Sequence, residues 1–465
     1  MLLTVLYHGR VVKHTKQDSL PGWLESLVFY SLAIIFVVMP FHAFLSTWGG
    51  THIGPLWAWK SWKEFVVFAE ALLVGGWLLM HPRLRRHVFR DRLWRSVIVL
   101  VVCVLVWAVL FTQPQTTRAT WVGIGFDLRY WVVFFLAYCL ARYGQRDAHQ
   151  WVVRATRFVA YSGVVLALLG SVQVALLPRE ALAQFGYERG VTIAPYMTID
   201  EKSPDIIRAF ATTRGPNDYG AYLVIALAAA ASLSYSWQIR LLMMAGISTG
   251  IVLSQSRSAM LAALVAWGVY AFMHIGTRVR KYIIPLLASV LVIGLAGIFA
   301  VLNSPTARLL LFHSSPHDTH LTEGNIDGHS EAVTSTLQRI VNQPLGCGPG
   351  CSGPASYYGP SPRISENYYL QLAEQYGIAG LLVWLCAALL VVRRLRRQPV
   401  TVASTWLVAA FAGLSAIGLL LHVWVDDAVA ITWWLLAGAT IGYSGTEHTW
   451  NTSKNNSPGK TSSSS

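Results

Sequence analysis

Charge is what this chain has little of. Of its 465 residues only 12% are Asp, Glu, Lys or Arg, and 54% are hydrophobic. A soluble domain carries about 25% charged residues, so the composition excludes an ordinary soluble protein and points to a polytopic membrane protein. Cysteine is sparse as well, five in all. Cys103, Cys139 and Cys386 lie in apolar runs, where a thiol reads as a small buried hydrophobe. Cys347 and Cys351 lie in a polar stretch, separated by Gly-Pro-Gly, and an oxidising compartment would allow them to pair. No cleavable signal peptide is evident, because the first apolar stretch, 24–45, has transmembrane length. Nor is an internal repeat evident, which counts against many transporter architectures.

What the chain does have is long apolar stretches punctuated by basic residues. About 20 apolar residues cross a bilayer, and twelve segments approach that length: 24–45, 61–80, 96–112, 121–141, 151–177, 217–236, 239–254, 257–274, 282–302, 366–392, 402–422 and 427–445. The 19 Trp, 19 Tyr and 18 Phe suit aromatic belts at two interfaces. The net charge of +14 does not imply nucleic acid, since the basic residues sit between apolar segments and act first as a topology signal. One side collects Arg10, Lys13 and Lys16, the six arginines of 81–95, Arg142–Arg157, Arg240, Arg278–Lys281, Arg393–Arg397, and Lys454 and Lys460. The expected fold is therefore an all-α integral membrane protein of about twelve transmembrane helices. Both termini are cytoplasmic in this reading, and a large external loop separates helices nine and ten. Residues 1–302 hold nine helices, 303–365 the loop, 366–446 three more helices, and 447–465 a disordered cytoplasmic tail. Asp127 and Arg129, two apart inside the fourth segment, suggest a local structural contact.

The outer side carries the chemistry-bearing residues. Arg208-Ala-Phe-Ala-Thr-Thr-Arg-Gly-Pro-Asn217 leads straight into the sixth segment. Pro216 and Asn217 suit a helix start and an interfacial arginine suits an anchor. The same residues also suit an anion site, with guanidinium groups beside a helix N-terminus. Ser254-Gln-Ser-Arg257 forms a very tight turn between segments seven and eight, where an arginine is either a snorkelling anchor or a second phosphate ligand.

The loop holds His313, His317, His320 and His329, with His422 on the same expected face. No carboxylate-rich or cysteine spacing defines a metal site there. Residues 329–342 show helical apolar spacing and read as an amphipathic helix. Pro344-Leu-Gly-Cys-Gly-Pro-Gly-Cys-Ser-Gly353 lacks the Gly-Lys-Ser/Thr of a nucleotide loop and reads as a turn-rich connection. Glu366-Asn367 opens the tenth segment. A carboxylate there is ordinary dipole chemistry, or a general base at a membrane cavity. Gly377 and Gly380 would admit a neighbouring helix.

These three motifs, in this order, resemble the O-antigen ligase family, which includes polysaccharide polymerases. Arg208-Ala-x-x-Thr-x-x-x-Pro-Asn217, Ser256-Arg257-Ser-Ala259, and Pro344-Leu-Gly-x-Gly followed by Asn367-Tyr-Tyr-Leu-x-x-x-x-x-x-Gly377-x-x-Gly380 carry the resemblance, over roughly residues 200–390. It implies metal-independent glycosyl transfer at the outer face of the cytoplasmic membrane, without a cofactor or nucleic acid. The donor would be a glycan on undecaprenyl diphosphate, and the partners a glycan or lipid acceptor and membrane lipids. The resemblance gives Arg208 and Arg257, with Arg214 as a third candidate, the diphosphate leaving group, and gives Asn217 and Asn367 supporting roles. Lipopolysaccharide ligases have a histidine before the Asn where this chain has Glu366, so the base is either Glu366 or His329. Ligase, repeat-unit polymerase and protein O-glycosylation all remain open; a polysaccharide or lipid transporter is the reading from another class.

Overall fold

Helix punctuation in the sequence sets the element boundaries. The computed structural model describes residues 19–111, 116–198, 206–274, 323–398 and 402–454, without the side chains of 323–330, 402 and 444–454. These residues form α1 (Gly22–Val38), α2 (His42–His52), α3 (Leu56–Met80), α4 (Pro82–Arg90), α5 (Arg92–Leu110), α6 (Thr117–Tyr143) and α7 (Ala148–Ala175). There follow α8 (Pro216–Ser232), α9 (Trp237–Leu253), α10 (Arg257–His274), α11 (Glu323–Asn342), α12 (Tyr368–Arg397), α13 (Val402–Gly418) and α14 (Asp427–Lys454). Asp91, Thr116, Asp147 and Asn367 cap their helices by accepting from backbone N–H groups of the first turn. α8 begins at Pro216, whose missing N–H costs nothing at a first helical position.

A helix stands at each position marked by hydropathy except the ninth, 282–302, which lies outside the described residues together with 303–322 and its three histidines. Among the described residues five helical stretches are long and apolar enough to cross a bilayer: Gly22–His52, α5, α6, α7 and α12. The bent pair α3 and α4, turning through 105°, would make six, and α9 and Ala403–Gly418 are shorter apolar helices. Large apolar side chains such as Leu72, Met80, Val109, Leu242 and Leu264 point outward and are exposed. A surface of that kind is stable against lipid and unstable against water. The chain is an integral membrane protein. The last helix continues to Lys454, into the stretch 447–465 marked as a tail.

α6 is the most buried of the five candidate spans, and α14 packs along it. The contact needs glycine: a Cβ at Gly438 would lie 2.3 Å from the carbonyl oxygen of Phe134, and one at Gly442 2.6 Å from that of Tyr138. Between these helices and α3 lies a buried ion lattice. Lys63 and Arg129 are 1% and 2% exposed. Lys63 Nζ lies 2.9 Å from Asp427 and 3.1 Å from Glu64; Arg129 pairs with Glu64 at 3.0 Å and also with Asp427. His42 Nδ1 lies 3.6 Å from Asp427, and Arg129 also donates to the carbonyl of Val425. The local Asp127–Arg129 contact is therefore not what forms. Residues two apart on a helix do not face each other, and Asp127 instead accepts from the Tyr376 hydroxyl at 2.5 Å.

The glycine-rich segment 344–353 is a strap, exposed at Pro344 and Leu345 and buried from Gly346 onward. Cys347 and Cys351 are disulfide-bonded and buried, and the N–H groups of Cys347 and Gly348 donate to the carbonyls of Glu374 and Gln375 at 2.9 and 2.8 Å. Gly377 breaks α12 with φ +66°, and its neighbour is this strap, not a helix: a Cβ there would lie 2.5 Å from the carbonyl oxygen of Pro344. Arg339 of α11 reaches the buried Glu374 at 2.5 Å, fastening α11 to the same helix. At the far end of α12, Arg394 pairs with Asp91 at 2.5 Å, gathering the arginine-rich ends of α4, α5 and α12 on one face.

Replacing Arg129 with Met leaves the half-buried Glu64 and Asp427 short of a counter-charge. Removing one partner of a buried pair costs about 3–5 kcal/mol, so thermal unfolding of the detergent-solubilised variant is expected at a clearly lower temperature than wild type. An unchanged midpoint would show that the lattice does not hold the bundle.

Candidate active site

Three of the described non-glycine residues have positive φ: Ala211 (48°), Gln255 (51°) and Glu366 (52°). One falls in each of the three motifs. Such conformations cost about 1–3 kcal/mol each and persist where surrounding structure enforces them. At Ala211 the enforcing group is Gln173, buried on α7, whose side-chain oxygen accepts from the N–H groups of Phe210 and Ala211 at 3.0 and 2.8 Å. Thr212 ties the same segment to the α1–α2 junction by donating to the carbonyl of Pro40 at 2.8 Å.

The first two motifs meet. Arg208 donates from Nε to the carbonyl of Ser254 at 3.0 Å and from Nη2 to the Asn217 side-chain oxygen at 3.1 Å. Ala209 N–H donates to the carbonyl of Leu253 at 2.9 Å. The turn 254–256 is itself cross-linked, with the Ser254 hydroxyl accepting from Ser256 N–H at 3.1 Å. α8 approaches it closely at Gly220, where a Cβ would lie 2.5 Å from that of Ala259. Arg208 is half-buried, and burial together with the charge of Arg257 pulls its pKa below the ordinary arginine value. Two guanidinium groups held near one another at the N-terminal ends of α8 and α10 make a locus where negative charge is stabilised.

Arg214 is placed differently. It pairs with Asp218 at 3.6 Å and with Asp426 at 3.3 Å. Burial and then the charge of Asp218 push Asp426 well above the usual carboxylate range, against the pull of Arg214. Lys60 lies close enough to Arg214 for the two charges to repel.

The third motif is held from several sides. Asn367 caps α12 by accepting from Tyr369 and Leu370 N–H at 2.9 and 3.0 Å, and its Nδ2 donates to the carbonyl of Leu419 at 2.8 Å. Tyr368, next in sequence, shares a 2.7 Å hydroxyl contact with Tyr130 of α6, and Trp384 donates to that same Tyr130 oxygen at 2.8 Å. Glu366 is half-buried. It lies close enough to His422 for the two charges to interact: burial lowers the His422 pKa, Glu366 raises it and Arg214 lowers it, with a net shift downward. His329 lies in α11, and its side chain lies outside the described residues. Among the described residues no three His, Cys, Asp or Glu side chains converge as metal ligands.

The structure thus brings the sequence candidates Arg208, Asn217 and Arg257 together and sets Glu366 and Asn367 at the start of α12, and it adds Gln173, Asp426 and His422, which the motifs did not single out. A signal existed in the polar pair His422 and Asp426, four apart at the outer end of an otherwise apolar stretch. Asn367→Ala removes both the cap and the tie to Leu419. The expected result is a stability loss of about 1–2 kcal/mol with faster amide exchange over residues 415–422; unchanged exchange there would refute the tie.

No curated protein matches the chain. The sequence profile of the O-antigen ligase family does match, over residues 239–385. That stretch contains Arg257, the strap 344–353, Glu366 and Asn367, while Arg208, Arg214 and Asn217 lie upstream of it. Over that stretch, about a third of its length, the chain is similar to the O-antigen ligase family.

Proposed function

We propose that the protein transfers a glycan from undecaprenyl diphosphate to an acceptor hydroxyl at the outer face of the cytoplasmic membrane. It does so without a metal, in a bundle of about twelve spans with both termini cytoplasmic. The observation that carries this reading is the meeting of Arg208 and Arg257 at strained turns. Support for the orientation comes from α12, whose 30 residues separate Glu366 at one end from Arg394 at the other. The candidate site thus lies on the face opposite the arginine-rich one, which is the cytoplasmic face by the positive-inside rule.

As the bond from the anomeric carbon to the phosphate oxygen breaks, negative charge gathers on the diphosphate. Arg208 and Arg257 stabilise it, and Asn217 holds the Arg208 guanidinium in position. Arg214, engaged with Asp218 and Asp426, sets the neighbouring charges and is a less direct ligand. Glu366 takes the proton from the acceptor hydroxyl, its backbone fixed by the Asn367 cap; His329 remains the other candidate base.

Purified protein, a lipid-diphosphate glycan and a panel of acceptors provide the test. Arg208→Ala and Arg257→Ala are each expected to lower the rate by about 100- to 1000-fold while the protein still inserts into membranes. Full activity in both would remove the diphosphate site. Product growing in repeat units would mean a polymerase, and a single transfer to a distinct acceptor a ligase. Labelled glycan crossing vesicle membranes with no donor consumed would mean a transporter.

A further inference from the structure

The groups around Glu366 include one that no motif announces. His422 starts the short 3-10 turn Val423–Val425 between α13 and α14 and accepts from Val425 N–H through its backbone carbonyl at 3.0 Å. The Asn367 to Leu419 hydrogen bond and a second from the Tyr369 hydroxyl to the carbonyl of Ser415 at 3.1 Å draw the segment before His422 against the start of α12. Gly418 sits against the Tyr369 ring, where a Cβ would lie 3.2 Å away. These ties and the Arg214–Asp426 pair bring His422 near two charged groups from different elements, Glu366 ahead of α12 and Arg214 ahead of α8. Asp426, four residues on, engages Arg214. His422 Nδ1 is buried with no hydrogen-bond partner in the protein. A buried polar atom of this kind, beside a carboxylate in strained backbone, calls for a functional explanation.

We propose that His422 and Glu366 form a carboxylate–imidazole pair, in which His422 is the positioning residue and proton relay for Glu366. This rests on the transferase reading above. In the transfer step the acceptor oxygen bonds to the anomeric carbon, and the bond from that carbon to the phosphate oxygen breaks. The bonding pair leaves on the diphosphate. The hydroxyl proton passes to the Glu366 carboxylate and on to the His422 ring, which gives it up to water before the next turnover. The ring must be neutral to accept it. Burial and Arg214 keep it so to a pH below the ordinary histidine range, while Glu366 opposes them and stabilises the imidazolium once formed.

The test compares wild type with His422→Ala, His422→Gln and Arg214→Gln in the lipid-diphosphate glycan assay across pH, together with a labelled-histidine NMR titration. His422→Ala and His422→Gln are each expected to lower kcat by about 100-fold, the low end of what positioned proton transfer contributes, with donor KM unchanged. The acid limb of the pH profile should move to lower pH in both, and to higher pH in Arg214→Gln. The His422 resonance, assigned by its loss in His422→Gln, should titrate at lower pH in Glu366→Gln than in wild type. A wild-type rate in His422→Gln would overturn the proposal and leave the ring as packing. If His422→Ala does not fold, His422→Gln alone decides. A His422 titration that ignores Glu366→Gln also overturns the pair, and this readout needs no turnover. Wild-type protein that consumes no donor would instead refute the transferase reading.

Discussion

The arrangement depends on the ion lattice centred on Asp427. Charges removed from water are costly unless each has a close counter-charge. Here one carboxylate at the start of α14 gathers Lys63, Arg129 and His42. It fixes three helices against the last one, and Arg129 of the same lattice holds the turn 423–425 by donating to the carbonyl of Val425. The residue before it, Asp426, faces the other way and engages Arg214. Two adjacent carboxylates therefore join a structural lattice on one side to the candidate site on the other. A shift in the register of α14 would move both.

The site is built from segments that do not stay in low-energy backbone. Ala211, Gln255 and Glu366 each sit in a left-handed conformation, and in two of the three cases a neighbouring side chain visibly supports the strain. Gln173 clamps the first, and Asn367 anchors the third to Leu419, just past the end of α13. Such segments need a rigid surround, which the tightly packed α6–α14 pair and the disulfide-closed strap provide. The chemistry then divides by location. In the proposed transfer Arg208 and Arg257 serve the departing anion, while Glu366, His422, Arg214 and Asp426 are a separate set of interacting charges.

The fold class was legible from hydropathy because lipid admits so few backbone solutions: every buried N–H and C=O must be satisfied inside a helix or closed barrel. The start of α8 was legible for a similar local reason, since Pro216 acts within one turn. Candidate residues could also be picked out where charge stood against the topology bias, as at Arg208 and Arg257, which the structure sets near one another. The contact between Asp127 and Arg129 was misread because proximity in sequence is not proximity on a helix surface. Gly377 was misread because a glycine's sequence context does not say whether it makes room for a helix or turns the chain.

The sequence by itself determined that this chain lives in a membrane, which stretches are helical, and which motifs carry arginine and carboxylate chemistry. These properties follow from local composition and from transfer energies that sum residue by residue. Only the tertiary structure decided which of those residues meet. Arg208 and Arg257 are brought together, Arg214 is drawn aside to Asp426, and His422 is set against Glu366 from another part of the chain. Those choices depend on how helices far apart in sequence pack, on the close approaches that Gly220, Gly438 and Gly442 permit, and on counter-charges that no local pattern specifies.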